Sequence, residues 1–219
     1  MKRCSVTSIT WFLAILSFSI LVGCASTRLT AFTDPAFSGK SFTTPAVYAN
    51  TADLEWRRSL EESVVAEMRK LGLPAVTTFE LIPPTRDLNP EDRVRILLEN
   101  KIDALIVIEV RQSGVEEQYI PPTGATTTTS GTVSTYGNTG TYQGTSYTTV
   151  HGGYNVSKPW AEMRTFVLDV ASGRKAWVAS SFTGGNAFAS FQDLRKSYSK
   201  KIVEQLLADR ALASPSPSQ

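Results

Sequence analysis

Ala104-Leu105-Ile106-Val107-Ile108-Glu109-Val110 is the stretch on which the fold turns. It is nearly all apolar and rich in β-branched side chains, with one acid near its end. Such a run suits a central strand covered on at least one face. Upstream, Asn89-Pro90-Glu91-Asp92 starts a helix, with a cap, a proline in the first turn and acids at the positive end. Val94, Leu97, Leu98 and Ile102 supply its apolar face. Residues 75–82 read as a strand closed by Pro83-Pro84. Earlier still, Leu60, Val64, Met68 and Leu71 recur at helical spacing and form one apolar stripe. Asn50, Thr51 or Asp53 caps that helix, and Gly72 and Pro74 end it. Arg57, Arg58, Glu61, Glu62 and Lys70 fall mainly off the stripe. Ala46-Val47-Tyr48-Ala49 reads as a short first strand.

Downstream, residues 160–170 predict a strand that turns at Ser172-Gly173 into a second strand over 175–183. Ser190 and Asp193 have capping-box spacing, and Phe191, Leu194, Tyr198, Ile202 and Leu206 stripe a final helix. The expected order is β-α-β-α-β, insertion, β-β-α. Two crossover helices make the first three strands parallel, and the late hairpin adds antiparallel strands. The expected fold class is α/β: a mixed sheet with helices packed on it, as a single domain over 44–210.

The insertion spans about 112–158. It is dominated by Thr, Gly and Ser, carries tyrosines at Tyr136, Tyr142, Tyr147 and Tyr154, and is nearly uncharged after Glu117. Three readings stand: a disordered loop, an extended polar hairpin whose tyrosines form an aromatic face, or a contact surface for a partner or a glycan. The last two are compatible. The tail over 211–219, with Ser214-Pro215-Ser216-Pro217-Ser218, is expected to be disordered.

The amino terminus carries the most specific signal. Met1-Lys2-Arg3 is a positive start, and a mostly apolar stretch follows over 9–22. That stretch is shorter than the ~20 residues of a membrane-spanning helix, and the pattern is that of a secretory signal. Leu21-Val22-Gly23-Cys24 resembles the lipobox of bacterial lipoproteins. The resemblance implies a diacylglycerol on the Cys24 thiol, cleavage between Gly23 and Cys24, and usually acylation of the freed amine. Each buried CH₂ contributes ~0.8 kcal/mol, so two or three chains anchor stably where one would not. Residue 25 is Ala rather than Asp, which by the enterobacterial sorting rule implies the outer membrane, the domain facing the periplasm. Residues 24–43 then read as a lipidated tether, of which 25–40 could reach roughly 50 Å when extended.

The 219 residues carry 22 Lys+Arg, of which Lys2 and Arg3 lie in residues 1–23; the remaining 20 match 20 Asp+Glu. A neutral mature chain has no counterion-release handle for nucleic acid. Of the two cysteines, Cys4 lies in the segment expected to be removed and Cys24 takes the lipid, so no disulfide is expected. No cofactor is expected beyond that covalent lipid.

Chemistry is sparse. G-x-S-x-G, G-x-x-x-x-G-K-[ST] and G-x-G-x-x-G are all absent from the sequence. His151, the one histidine, sits beside Gly152-Gly153 and reads as a loop residue without a role. Period two places Glu109 and Arg111 on one strand face, near the carboxyl end of the central strand, where open α/β sheets often bind ligands. Glu162 and Arg164 share a face of a neighbouring strand. These four form either a polar site or cross-strand charge pairs at a solvated margin, and Glu109 with Glu162 is the candidate pair for an enzyme with dispersed carboxylates.

The order of elements, the run over 104–110, the insertion and the turn at Ser172-Gly173 together resemble the amino-terminal domain of TolB and related domains of CsgG-type envelope lipoproteins. The resemblance covers about 44–210 apart from the insertion. It implies a binding or assembly module and does not by itself imply pore formation. The expected function is a non-enzymatic, membrane-anchored interaction module with another envelope protein as partner; a small-ligand or glycan-binding lipoprotein is the alternative.

Overall fold

The computed structural model describes residues 24–121, 125–136, 139–150 and 152–213. The expected signal segment with Gly23, His151 and the tail beyond residue 213 lie outside them. In chain order the elements are β1 (Ala25–Thr33), β2 (Pro45–Asn50), α1 (Leu54–Lys70), β3 (Val76–Thr77), α2 (Thr78–Leu81), α3 (Pro90–Glu99), β4 (Ala104–Ile120), β5 (Ala125–Tyr136), β6 (Thr139–Val150), β7 (Tyr154–Asp169), β8 (Lys175–Gly185) and α4 (Phe191–Ala208). The chain divides into two compact units, the second being Glu116–Ser157.

The first unit is an α/β fold on a six-stranded mixed sheet of order β1-β8-β7-β4-β2-β3. β2 pairs in parallel with both β3 and β4, as two crossover helices require. β8 pairs antiparallel with β7 and β1. β4 is interior to the sheet, and its residues 104–108 are covered on both sides. Ala104, Ile106 and Ile108 face the large core with α1 and α4, while Leu105 packs with Ala46, Leu97, Ile102 and Val170 on the other face.

Glu61 departs from the expected pattern. It is fully buried, on the same side of α1 as Leu60, Val64 and Met68. Its carboxylate accepts from Ala49 N (3.1 Å), Arg57 Nε (3.0 Å), Thr78 Oγ1 (3.1 Å) and Phe79 N (2.9 Å). A buried charge needs such a complement of donors. This explains why the expected strand over 75–82 is only the two residues of β3. The chain turns into α2 at Thr78, and the hydroxyl of Thr78 and the amide of Phe79, both free of helix bonds there, supply the carboxylate.

Other helix signals hold with local changes. Asp53 caps α1, bonding Glu55 N and Trp56 N, but Leu71 follows the helix end and is exposed. Asn89 caps α3 through Asp92 N; of the expected apolar face Leu97 and Ile102 are buried, while Val94 and Leu98 face solvent. Ser190 and Asp193 form the full capping box of α4. Tyr198 on that helix is completely buried, and its hydroxyl meets Thr165 Oγ1 at 2.6 Å. Burial pushes the phenol well above its ordinary pKa, with the Thr165 bond acting the other way.

Two segments expected to be irregular are ordered. Residues 25–33 are not a tether but the edge strand β1, paired with β8 from Ala25↔Gly185 to Thr33↔Trp177. Leu29 and Ala31 pack on the core, and Arg28, Thr30 and Phe32 point outward. The start of the tail is also ordered. Ala211 and Leu212 are buried, and backbone bonds to Phe42 clamp them against the supposed tether.

In the second unit, β5 and β6 form an antiparallel hairpin, the extended reading of the insertion, running from Ala125↔Val150 to Tyr136↔Thr139. Its tyrosines do not share one face. Tyr142 pairs with Val133, whereas Tyr147, five residues on, pairs with Thr128 on the opposite side. The Tyr142 ring lies over Gly131 and Gly144, where an added Cβ would come within 2.5 Å and 2.4 Å of it. Tyr119 lies over Gly153 in the same unit.

At the β7–β8 turn, Gly173 has φ 67°, and Asp169 accepts from Lys40 Nζ (2.8 Å) and Ser172 Oγ (2.6 Å). Burial would raise the Asp169 pKa, but these hydrogen bonds and the lysine charge outweigh it and hold the carboxyl below its ordinary value.

Glu61→Ala should cost about 3–5 kcal/mol in urea unfolding, because Arg57 and three further donors lose their buried acceptor. Glu61→Gln should lose much of the same stability, since its amide nitrogen would confront N–H and O–H donors. A wild-type midpoint in either variant would contradict this role. For Asp169 the folded pKa is depressed, so its contribution is complete above about pH 4 and is lost as pH falls through the folded value. Lys40→Met should therefore destabilise by under about 1 kcal/mol at pH 6, with the difference from wild type closing as pH falls below the ordinary carboxylate value of about 4 and through the depressed folded one.

Candidate functional site

β1, β8, β7 and the outer part of β4 alternate between two sides. One side packs on α1 and α4; the other, over β1, β8 and β7, is not covered by any described element of the first unit. Register lays the uncovered residues out in rows. Ser26, Gly184 and Trp160 form one row; Arg28, Phe182 and Glu162 the next; then Thr30, Ser180 and Arg164; then Phe32, Val178 and Phe166. Val110 belongs to the core side and Ser113, three residues on, lines a cleft with Trp56 on that same side. The alternation of β4 therefore slips by one residue, turning both Arg111 and Gly114 to the open face.

The open face holds a groove of about 750 Å³. Its lining includes Arg28, Phe32, Arg111, Glu162, Arg164 and Phe182. Three of the four charged residues expected to form a polar site are thus together. Glu109 is not in the lining; it pairs with Arg111 Nη2 at 3.3 Å, along the strand rather than across strands.

Sequence reasoning missed the aromatic part. Trp160 and Phe182 stack with ring centroids 6.2 Å apart and planes 16° apart. Both lie flat because glycines sit beneath them. A Cβ on Gly114 would stand 3.3 Å from Trp160 Nε1, and one on Gly184 would stand 3.1 Å from Phe182 Cε1. Phe182 is 45% exposed and Phe32 62%. The available signal was period two: Arg28-x-Thr30-x-Phe32 on one strand and Ser180-x-Phe182-x-Gly184 on its neighbour.

A smaller cleft of about 420 Å³ lies past the carboxyl end of β2, beside Val110 and Ser113 in the middle of β4. This is the place where a ligand site was expected. Glu109 does not line it; Thr51, Asp53, Trp56, Ser113, Phe191 and Arg195 do.

Cys24 is exposed and sits at the very start of the sheet. Its N donates to Asn186 Oδ1 (3.2 Å) and its O accepts from Asn186 N (2.9 Å). Trp160 and Gly184 form the row of the sheet at this same end. Of the four tyrosines expected as a contact surface, Tyr142, Tyr147 and Tyr154 are exposed, and Tyr136 stands in β5 opposite Thr139.

No family model matches this chain, and no curated protein matches it. Among solved structures, the PelC dodecamer from Paraburkholderia phytofirmans is similar at 13% identity and a TM-score of 0.47, over 85% of this chain and 99% of that one. A PDZ domain protein from Parabacteroides distasonis is similar at 13% identity and a TM-score of 0.31, over 94% of this chain and 41% of that one. At such TM-scores neither likeness bears on function.

Gly184→Val would place a branched side chain against the Phe182 ring. The expected result is a changed near-ultraviolet circular dichroism signal from the Trp160–Phe182 pair, with far-ultraviolet signal and fold retained. An unchanged near-ultraviolet spectrum would mean the pair is not held as described.

Proposed function

We propose that the protein is a non-enzymatic, lipid-anchored module of the cell envelope that docks a partner protein on the open face of its sheet. The observation that carries this reading is the stack of half-buried Trp160 on exposed Phe182, with Phe182 and Phe32 lining a groove among Arg28, Arg111 and Arg164. Exposed aromatics with arginine are the usual centre of protein interfaces, and an apolar strip on an otherwise solvated sheet asks for a cover. The lipobox supplies the anchor. Cys24 as acceptor would place the module at the outer membrane, facing the periplasm.

A glycan is the second reading. A flat aromatic pair beside unspent guanidinium groups also fits a sugar face with acidic substituents; Arg28 and Arg164 make no ion pair among the described residues. The two readings separate cleanly, because a glycan changes Trp160 fluorescence in the purified protein without any partner.

The test is affinity capture from cross-linked native envelopes with three forms: wild type, Phe182→Ser with Arg164→Glu, and a form in which residues 125–150 are replaced by a short turn. Docking on the open face predicts one specific partner, lost at least tenfold in the double variant and kept in the hairpin replacement. Loss only with the hairpin would move the interface to the second unit. Equal capture in all three, or none, would end the docking reading.

A further inference from the structure

The end of the sheet that carries Cys24 also carries a large, mostly exposed apolar side chain. Phe188 is 62% exposed. Its backbone N donates to Asn186 Oδ1 at 3.0 Å, the same oxygen that accepts from Cys24 N at 3.2 Å. Asn186 N returns a bond to Cys24 O at 2.9 Å, and Ala189 N closes the turn onto Asn186 O at 3.1 Å. Cys24, Asn186 and Phe188 are therefore one hydrogen-bonded unit. It is held on one side by β1, which begins at the next residue, and on the other by the capping box of α4.

We propose that this end of the domain rests on a phospholipid bilayer and that Phe188 enters the lipid interface beside the acyl chains of Cys24. The proposal rests on the reading of Cys24 as the lipid acceptor, and it adds what that reading leaves open: how the body sits on the membrane. A lipid on a long tether would leave orientation free. Here the first residue of the mature chain already belongs to the fold, so acyl chains on its sulfur reach the hydrocarbon only when the Asn186 turn is at the headgroups. An interfacial apolar group lies about 5–10 Å into the headgroup and acyl boundary, a depth within reach of a side chain two residues from the Cys24 contact. The far end of β8 is the turn at Ala171–Gly173, which by strand rise stands about 33 Å away.

The experiment uses the full, processed, lipidated chain in phosphatidylethanolamine and phosphatidylglycerol vesicles. Ala187→Cys, exposed beside Phe188, and Ala171→Cys, exposed at the opposite turn, are each labelled with an environment-sensitive fluorophore. Lipids spin-labelled near the headgroup then serve as quenchers, and mass spectrometry of the amino-terminal peptide reads the acyl chains. The expected result is quenching at least threefold stronger at 187 than at 171, falling towards the 171 value when Phe188→Ser is added. Equal, weak quenching at both positions with acyl chains present on Cys24 would overturn the seating while leaving the anchor intact. An unmodified Cys24 in the processed chain would overturn the anchor, and the seating with it. Strong quenching at 187 that survives Phe188→Ser would remove Phe188 from the contact and overturn its part.

Discussion

The buried carboxylate of Glu61 is the constraint around which one half of the sheet is arranged. A charge with no access to water must be met by donors, and here they come from β2, from α1 itself and from the start of α2. Satisfying it fixes where β2 ends, how α1 lies against it and where the chain leaves β3. Arg57, which pairs with Glu61, also lies over the rings of Tyr48 and Phe79, so charge and apolar packing are set by the same contact. The neighbouring core of Leu60, Val64 and Met68 then seats on β2 and β4 without further polar demands.

The other half of the sheet is governed by coverage. α1 and α4 lie on one face. On the opposite face, Leu97 of α3 packs with Ala46, Leu105 and Val170, and with Val76 and Leu81, over β2, β3 and the start of β4. β7, β8 and β1 continue beyond that cover, and their outward residues change from apolar to mixed: Phe166 and Val178, then Ser180 and Arg164, then Phe182 and Glu162. The sheet thus passes from core to surface along a single face. Where it becomes surface, two glycines on separate strands let two rings lie flat instead of standing out. That combination makes the open face a better docking platform than its charge alone would.

The sequence was most legible where pattern and capping agree. The run at 104–110, the Asn89 and Ser190 caps and the stripe on the last helix all lie as their periodicity implied. The failures share a cause: a residue type whose usual place was overruled by one tertiary partner. Glu61 looked like a solvated helix residue because the donors at Phe79 and Thr78 are distant in sequence. Residues 78–81 looked like strand because the demand of Glu61 on their amides cannot be seen locally. β1 looked like a tether because its inward residues are Thr, Leu and Ala and its largest apolar residue, Phe32, points out; only the pairing with β8 makes the alternation meaningful. The four charged residues were placed near one another by period two alone, yet the aromatic pair beside them depends on Gly114 and Gly184, whose role appears only across strands.

The pairing of β1 with β8 also imposes an order of events. β1 is the first element after Cys24, and its only partner in the sheet is the last strand. During synthesis it emerges roughly 150 residues ahead of the strand it must join, a long-range closure of the kind that forms late. Until β8 arrives, β1 lacks the strand it pairs with; afterwards Ala25 is hydrogen-bonded into a sheet edge and Cys24 is tied to Asn186. Any enzyme that must grip this segment in extended form has its opportunity before the sheet closes. The edge strand works as a clock: completion of the fold ends access to the backbone of residues 24–33.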